Sequence, residues 1–499
     1  MTKGFFISIL LTVLIFFSAT PYSRAEYKYT EACQQALLNI YDLKMDDARS
    51  ILKAALAKTP NNYYLYVLEH YCDAMELIIT EDEALYEKFK DEWERKRDIM
   101  DEKDEDSPYY KLFEAEMMYT VGLMDIKYGG RLSGVSKLFS AYKLIKRNVE
   151  GHPDFWPNDR LYGIFNVAFS NMPPAVGWIA KLFGVKGDLD LGMKQLDNYY
   201  NQSKPYPGLD AEAVIYKILG YKLTWNNKKG YEFLAALPPE LLEITLVKYL
   251  YANLSSFGGE NDHAIDVLMS IDPTVLQIKF YALDYQLGKC KFKRLDNNAN
   301  QYLLRYLNQF SGTSYKKEMC NMLSQYYLVH GNKTQYERYK NKLDDFDGDF
   351  RDRDREAEVD VSFELIPNVE LLKARILLLG AYDDRVEAIL SNIQYTSLGE
   401  LPYKLEYRFL NARIAQRKGN LESAKRIFEK VLDDGEDEDY PFATESALHL
   451  GFIYESQKNY PKARFYYDLC LDLFDDDYVY ENVERQAESG IDRVAKYLE

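Results

Sequence analysis

The chain has 499 residues, 47% of them hydrophobic, and a formal net charge of −17. That apolar content supplies a sizeable core and excludes wholesale disorder. The acidic balance, with no dense Lys/Arg run, excludes a nucleic-acid binder, whose affinity rests on clustered cations that release counterions. Prolines (16) and glycines (26) are scarce for this length, so the chain reads as mostly helical. The 44 tyrosines suit half-buried positions between helices, with an apolar body and a polar tip.

The N-terminus carries an address. Lys3 precedes an apolar run from Phe5 to Phe17, and Ser23 and Ala25 stand at −3 and −1 of a cut before Glu26. This order predicts a secretory signal peptide over 1–25, cleaved between Ala25 and Glu26. The run is shorter than the roughly 20 residues that a membrane span needs. The nearest cysteine, Cys33, lies well past the cut, which argues against lipidation. The expectation is an exported protein, periplasmic in a Gram-negative source, with room for peripheral but not integral membrane association.

The mature chain, from 26, opens on a helix pair. In "ALLNIYDLKMDDARSILKAALAKTP", Ala36, Ala48, Leu52, Ala55 and Pro60 fall at tetratricopeptide offsets. Small residues there let the two helices of a hairpin approach, and proline marks the stop. Farther on, "LYGIFNVAFS" has helical apolar spacing and runs into Pro173 and Pro174, which end it. An apolar helix follows to Gly184. Gly187 and Asp188 then start a new helix, with Asp188 as its cap and Gly192 allowing close contact. We read 166–192 as a joint between helices. A P-loop would follow a strand and need more glycines, and the apolar stretch is too short to span a membrane.

Weaker repeat echoes occur around Ala264, Leu268 and Pro273 and again at Gly380 and Tyr382. Between the two echoes, residues 344–358 read "DDFDGDFRDRDREAE". Asp345, Asp347, Asp349 and Glu356 imitate a calcium loop, but Phe350 stands where glycine is needed and three arginines oppose a cation. The segment reads as a solvated charged linker. It divides helical repeats over 26–343 from C-terminal repeats over 359–499. In that last part Ala412, Gly419, Leu421, Ala424 and Phe428, then Leu450, Gly451, Tyr454, Ala463 and Tyr467, repeat the same offsets. The prediction is an all-α chain, an α-solenoid of roughly a dozen helix hairpins.

The span 161–196 resembles the signature of the tetratricopeptide repeat protein 39 family, which also contains the yeast inclusion-body clearance protein. Ser170, Pro173, Pro174, Gly184, Gly187, Asp188, Gly192 and Leu196 carry the likeness. Residues 311–332 and the C-terminal repeats also look like that family. The resemblance implies an all-helical repeat protein with no known catalytic residues.

Five scattered cysteines form no CxxC, and the five histidines form no metal pair. No nucleophile elbow or comparable context is present. We therefore expect no catalytic residue, no metal and no cofactor. The reading is an exported, non-enzymatic scaffold that binds a protein or peptide on a concave face. The alternative is a carrier of lipid or another hydrophobic ligand, using a cavity near 165–183. A hydrolase with an unrecognised site is the remaining rival.

Overall fold

The computed structural model describes residues 25–100, 106–170, 185–224, 226–346 and 352–498. Pro173, Pro174 and Gly184, most of the expected signal peptide, and the centre of the calcium-like segment lie outside the described residues. Among these residues the chain is all-α, with 25 α-helices and no strand. In chain order these are α1 (Glu31–Tyr41), α2 (Met45–Lys58), α3 (Tyr63–Thr80), α4 (Glu83–Met100), α5 (Pro108–Lys127), α6 (Arg131–Gly151), α7 (Asn158–Ser170), α8 (Leu189–Ser203) and α9 (Leu209–Leu223). There follow α10 (Asn227–Ala235), α11 (Pro239–Leu242), α12 (Thr245–Phe257), α13 (Asn261–Met269), α14 (Tyr281–Lys293), α15 (Ala299–Gln309), α16 (Lys316–Val329), α17 (Lys333–Lys342) and α18 (Asp352–Ser362). The chain ends with α19 (Val369–Leu379), α20 (Asp383–Asn392), α21 (Leu401–Arg417), α22 (Leu421–Gly435), α23 (Phe442–Ser456), α24 (Tyr460–Asp472) and α25 (Glu481–Ala495).

Two compact units result. The first is built on described residues up to Gly220 apart from 79–82, the second on Ile79–Asp82 and the residues from Tyr221 onward. Each stacks hairpins of consecutive helices. α1/α2, α5/α6 and α7/α8 pair in the first unit, and α12/α13, α14/α15, α16/α17, α19/α20, α21/α22 and α23/α24 in the second.

One turn makes most of these hairpins. Leu43, Gly129, Gly259, Leu295, Gly331, Ala381, Gly419 and Lys458 each adopt positive φ between paired helices. The next amide bonds a carbonyl five residues back, as Asn420 N does to Ala415 O at 2.8 Å and Asn332 N to Tyr327 O at 2.8 Å. This left-handed residue with its long-reach bond satisfies carbonyls the first helix leaves open. Asn332, Asn420 and Asn459 then cap the second helix by accepting from the backbone N–H three residues on. Gly419, expected at a packing offset, serves this turn instead. It has φ +78°, and a Cβ there would touch nothing within 4 Å.

In the second unit, Ala424, Phe428 and Ala463 are fully buried and Tyr454 nearly so, within one apolar cluster. A Cβ on Gly451 would lie 2.4 Å from the Tyr467 ring, and one on Gly490 2.5 Å from it. The Tyr467 ring on α24 is thus gripped between α23 and α25. In the first unit Ala48 is fully buried, whereas Ala55 is half-buried and Pro60 exposed. α7 crosses α8 where a Cβ on Gly192 would come 2.8 Å from the Gly163 carbonyl oxygen, and Leu196 is buried beside it. Gly187 lies against the end of α7, where its Cβ would meet Ser170 N at 2.2 Å. Asp188 caps α8, accepting from Leu191 N at 2.9 Å. Glu26 is tied to the start of α3: its N–H donates to Asn61 O, and its carbonyl accepts from Tyr63 N.

The first unit closes around a buried polar centre that composition did not reveal. The Arg160 guanidinium donates to both carboxylate oxygens of Glu116, to Tyr199 Oη at 3.0 Å and to Glu212 Oε2 at 3.2 Å. Tyr71 Oη donates to Glu116 at 2.6 Å, and Tyr41 and Tyr199 donate to Glu212. Arg160, Glu116 and Glu212 are each at most 2% exposed. Six helices meet there, and every charge has several partners, which is what burial of a charge requires.

The segment expected as a solvated linker is corrected in its described part. Residues 352–362 form α18, and Asp354 and Ala357 are 1% exposed. Asp354 accepts from Glu318 N at 2.8 Å, and Lys317 pairs with Glu358. Asp354 and Glu358 are thus engaged by α16, whereas Arg355 is exposed and pairs with Glu481 of α25.

Arg160→Ala leaves two carboxylates buried without their cation. It is expected to cost about 3–5 kcal/mol, read as a fall in the urea midpoint of the first unit. Gly451→Ala overpacks the Tyr467 ring and should cost about 1–3 kcal/mol. Near-ultraviolet circular dichroism of the tyrosines would follow that change alongside the denaturation curve.

A charged cavity in the second unit

The second unit contains a cavity of about 500 Å³. Its wall is formed mainly by the first helices of successive hairpins, α12, α14, α16, α19, α21 and α23, each touching the next. α9 contributes Lys222 and α18 contributes Arg353, Glu356 and Asp360.

The wall is a ladder set by the turn. Six residues before the left-handed turn residues 259, 295, 331, 381 and 419 stand Asn253, Lys289, Gln325, Arg375 and Arg413. Thirteen residues before turn residues 331, 419 and 458 stand Glu318, Glu406 and Glu445. All eight line the cavity. Seven residues separate the two positions, about two helical turns, so both point from one face.

Most of these charges are paired. Lys289 Nζ lies 2.8 Å from Glu318 Oε1 and 2.8 Å from Tyr285 Oη, which itself donates to Glu318 at 2.6 Å. Burial works against the Glu318 charge, yet Lys289 and Arg353 hold its carboxyl below the usual range. Asp360 accepts from Asn321 at 2.6 Å, Gln325 at 3.2 Å and Tyr480 at 2.5 Å. Arg353 bonds Glu356 at 2.7 Å, and Arg375 faces Glu406 at 3.5 Å.

Two ends of the wall differ. Lys222 donates to the neutral Asn253 Oδ1 at 2.8 Å, and Lys293 to the neutral Ser256 Oγ at 3.0 Å. Burial, with Lys289 as a like charge nearby, pulls the Lys222 ammonium down to about 8. Burial likewise pulls Lys293 down to about 8. At the other end the Arg413 Nε is buried without a hydrogen bond. Burial pushes the Glu445 carboxyl up to about 7, against the pull of Arg413 and Arg375. Phe257 and Leu379, 47% and 61% exposed, add apolar surface to the lining.

Among the described residues, none of the repeat-packing or signature positions named from the sequence lines this cavity. Of its lining, only Arg353 and Glu356 had been singled out, as parts of a calcium-like run, and Glu356 is engaged by Arg353 and by Asn482 at 2.7 Å. The signal for eight of the others was a polar residue six or thirteen positions before a turn. The five cysteines are all free and buried, and His449 is half-buried and stacked on Phe428. The region proposed for a hydrophobic ligand has Phe165 and Phe169 packed against Tyr142, with Phe169 stacked on Phe139. Residues 171–184 lie outside the described part. No helix among the described residues is long and apolar enough to cross a membrane.

No protein-family model matches the chain, and no curated protein matches it. Among solved structures it is similar to a Rap protein complexed with competence and sporulation factor, with a TM-score of 0.30, 11% identity, and coverage of 91% of this chain and 98% of that one. It is also similar to a monomeric IFIT1 mutant with m7Gppp-AAAA (TM-score 0.28, 14% identity, 88% and 80% covered). A third is the TPR domain of P58(IPK) (TM-score 0.22, 12% identity, 87% and 98% covered). Likenesses of this size decide nothing about a ligand.

Because the folded state holds the Glu445 proton more tightly than the unfolded state, its stabilising share is complete below about pH 4.5. It is lost as pH rises towards about 7. Glu445→Gln keeps the neutral shape. Its urea midpoint should match the parent near pH 4.5 and exceed it at pH 8, by on the order of 1–2 kcal/mol.

Proposed function

We propose that this chain is an exported, non-catalytic helical-repeat scaffold that holds a segment of a protein partner against the inner wall of its second unit. The observation that carries this reading is the cavity, walled by the first helices of consecutive hairpins and lined by a polar ladder in one register. A wall of this kind offers hydrogen-bonding groups at repeated intervals, as a chain segment does. Export rests on the N-terminal sequence, and periplasmic residence follows in a Gram-negative source. Kinship with the tetratricopeptide repeat protein 39 family belongs to the same reading, supported by the close helix approaches at Gly187 and Gly192.

A hydrolase working through a covalent intermediate would need a side-chain nucleophile in the cavity. Ser256 beside Lys293 is the nearest arrangement, but Ser256 is 2% exposed, and its hydroxyl donates to Asn261 Oδ1 at 3.2 Å. That leaves no free proton for activation and no access for a substrate. A lipid carrier would need an apolar tunnel, whereas the middle of this cavity is charged.

Crosslinking in the native host, followed by purification of the tagged chain and mass spectrometry, tests the scaffold. One or two exported or envelope proteins in near-stoichiometric amounts are expected. Recovery of the chain alone, with lipid in the extract, would overturn it in favour of a carrier.

A further inference from the structure

Lys222, Lys293, Arg413 and Glu445 line one cavity, and among the described residues none has an oppositely charged side chain within 4.0 Å. The arrangement is directional. Lys222 and Lys293 each spend one of three ammonium donors on a neutral oxygen of α12, from Asn253 and Ser256, one turn apart. That leaves two donors on each of these two cavity-lining side chains. Both ammonium groups are drawn down to about 8 by burial, so an incoming anion would restore their full charge. Arg413 and Glu445, on α21 and α23, attract each other without pairing. A peptide amide suits that gap, because its carbonyl accepts from the guanidinium while its N–H donates to the carboxylate.

We infer that the cavity takes an extended acidic peptide segment, with one carboxylate between Lys222 and Lys293 and a main-chain amide bridging Arg413 and Glu445. This rests on the scaffold reading and names its ligand class. The middle of the wall decides against other anions. Its cations Lys289, Arg353 and Arg375 are already engaged by Glu318, Glu356 and Glu406, so they offer a polyanion such as a polyphosphate no free charge, while a single carboxylate needs only Lys222 and Lys293. An alkyl chain would have to lie on these same charges. Phe257 and Leu379 offer contact to one flanking apolar side chain.

Isothermal titration of the full chain with four probes tests this. The probes are acetylated, amidated decapeptides with one glutamate in a neutral background, the same pool with glutamine in its place, inorganic phosphate, and dodecanoate. The glutamate pool should bind about tenfold or more tighter than the glutamine pool, as expected for charge-assisted bonds. Lys222→Gln with Lys293→Gln should erase that preference, and Arg413→Gln should weaken both pools alike. Equal binding of the two pools would overturn the inference. So would a preference that survives in the double variant, or phosphate or dodecanoate binding as tightly and being lost with it. If the double variant does not fold, NMR of carbon-13 dimethylated lysines in the parent decides. The Lys222 and Lys293 signals must move with the glutamate pool and stay with the glutamine pool. Capture of the same native partner by parent and folded double variant would sink this inference and leave the scaffold; capture of none by either would sink the scaffold.

Discussion

The structure depends on one constraint, the left-handed residue that joins the two helices of a hairpin. It ends the first helix at a fixed point, and the amide after it reaches back five residues to a carbonyl that would otherwise be orphaned. The second helix then starts at once, often on an asparagine cap. Since the turn has the same length each time, distance along the sequence from the turn becomes height along the helix. Residues six and thirteen before it therefore arrive at the same wall in hairpin after hairpin. The ladder of Asn253, Lys289, Gln325, Arg375 and Arg413 is a consequence of the turn, not of any contact among those residues.

The turn is made even where glycine is absent. A side chain in the left-handed region costs roughly 1–2 kcal/mol, yet Leu43, Leu295, Ala381 and Lys458 stand there. Leu43 is fully buried, so apolar burial offsets the backbone cost at that position. The hairpin is thus specified by packing of its helices as much as by its turn residue. That is why the geometry persists when the local sequence signal fades.

This explains what could be read in advance. All-helical hairpins were legible from scarce helix breakers and from small residues at repeated offsets, and Ala48, Ala424 and Ala463 do sit fully buried between helices. Glycine followed by asparagine marks the turns at Gly331 and Gly419, yet Gly419 was expected at a packing offset and Gly331 was not read as a turn. Turns at Leu43 and Leu295 carry no such mark, because leucine there looks like any core residue, so the hairpin α14/α15 went unseen. The charged run ending in α18 was misread for a related reason. Composition cannot say whether Asp354 meets water or the amide of Glu318, since pairing is decided by residues far away in sequence. The cavity escaped notice on the same ground: each lysine or arginine of its wall looks alone like a solvated charge.

The two units handle buried charge in opposite ways, and the difference carries the functional reading. In the first, Arg160 is surrounded by Glu116, Glu212 and tyrosine hydroxyls, so its bonding capacity is spent and the group only holds helices together. In the second, the central pairs Lys289–Glu318 and Arg353–Glu356 are likewise spent. Lys222, Lys293, Arg413 and Glu445 are not. They bear the desolvation cost of a cavity position without an opposite charge in contact: Lys222 and Lys293 meet neutral oxygens, and Lys293 and Arg413 lie over the rings of Phe257 and Phe409. A fold that can satisfy six buried polar groups at one centre has no structural need to leave four charges without an opposite partner at another. Groups left in that state keep unspent charge in the free protein. That charge is fully used only when something else enters, and so it marks where a partner's own polar groups complete the wall.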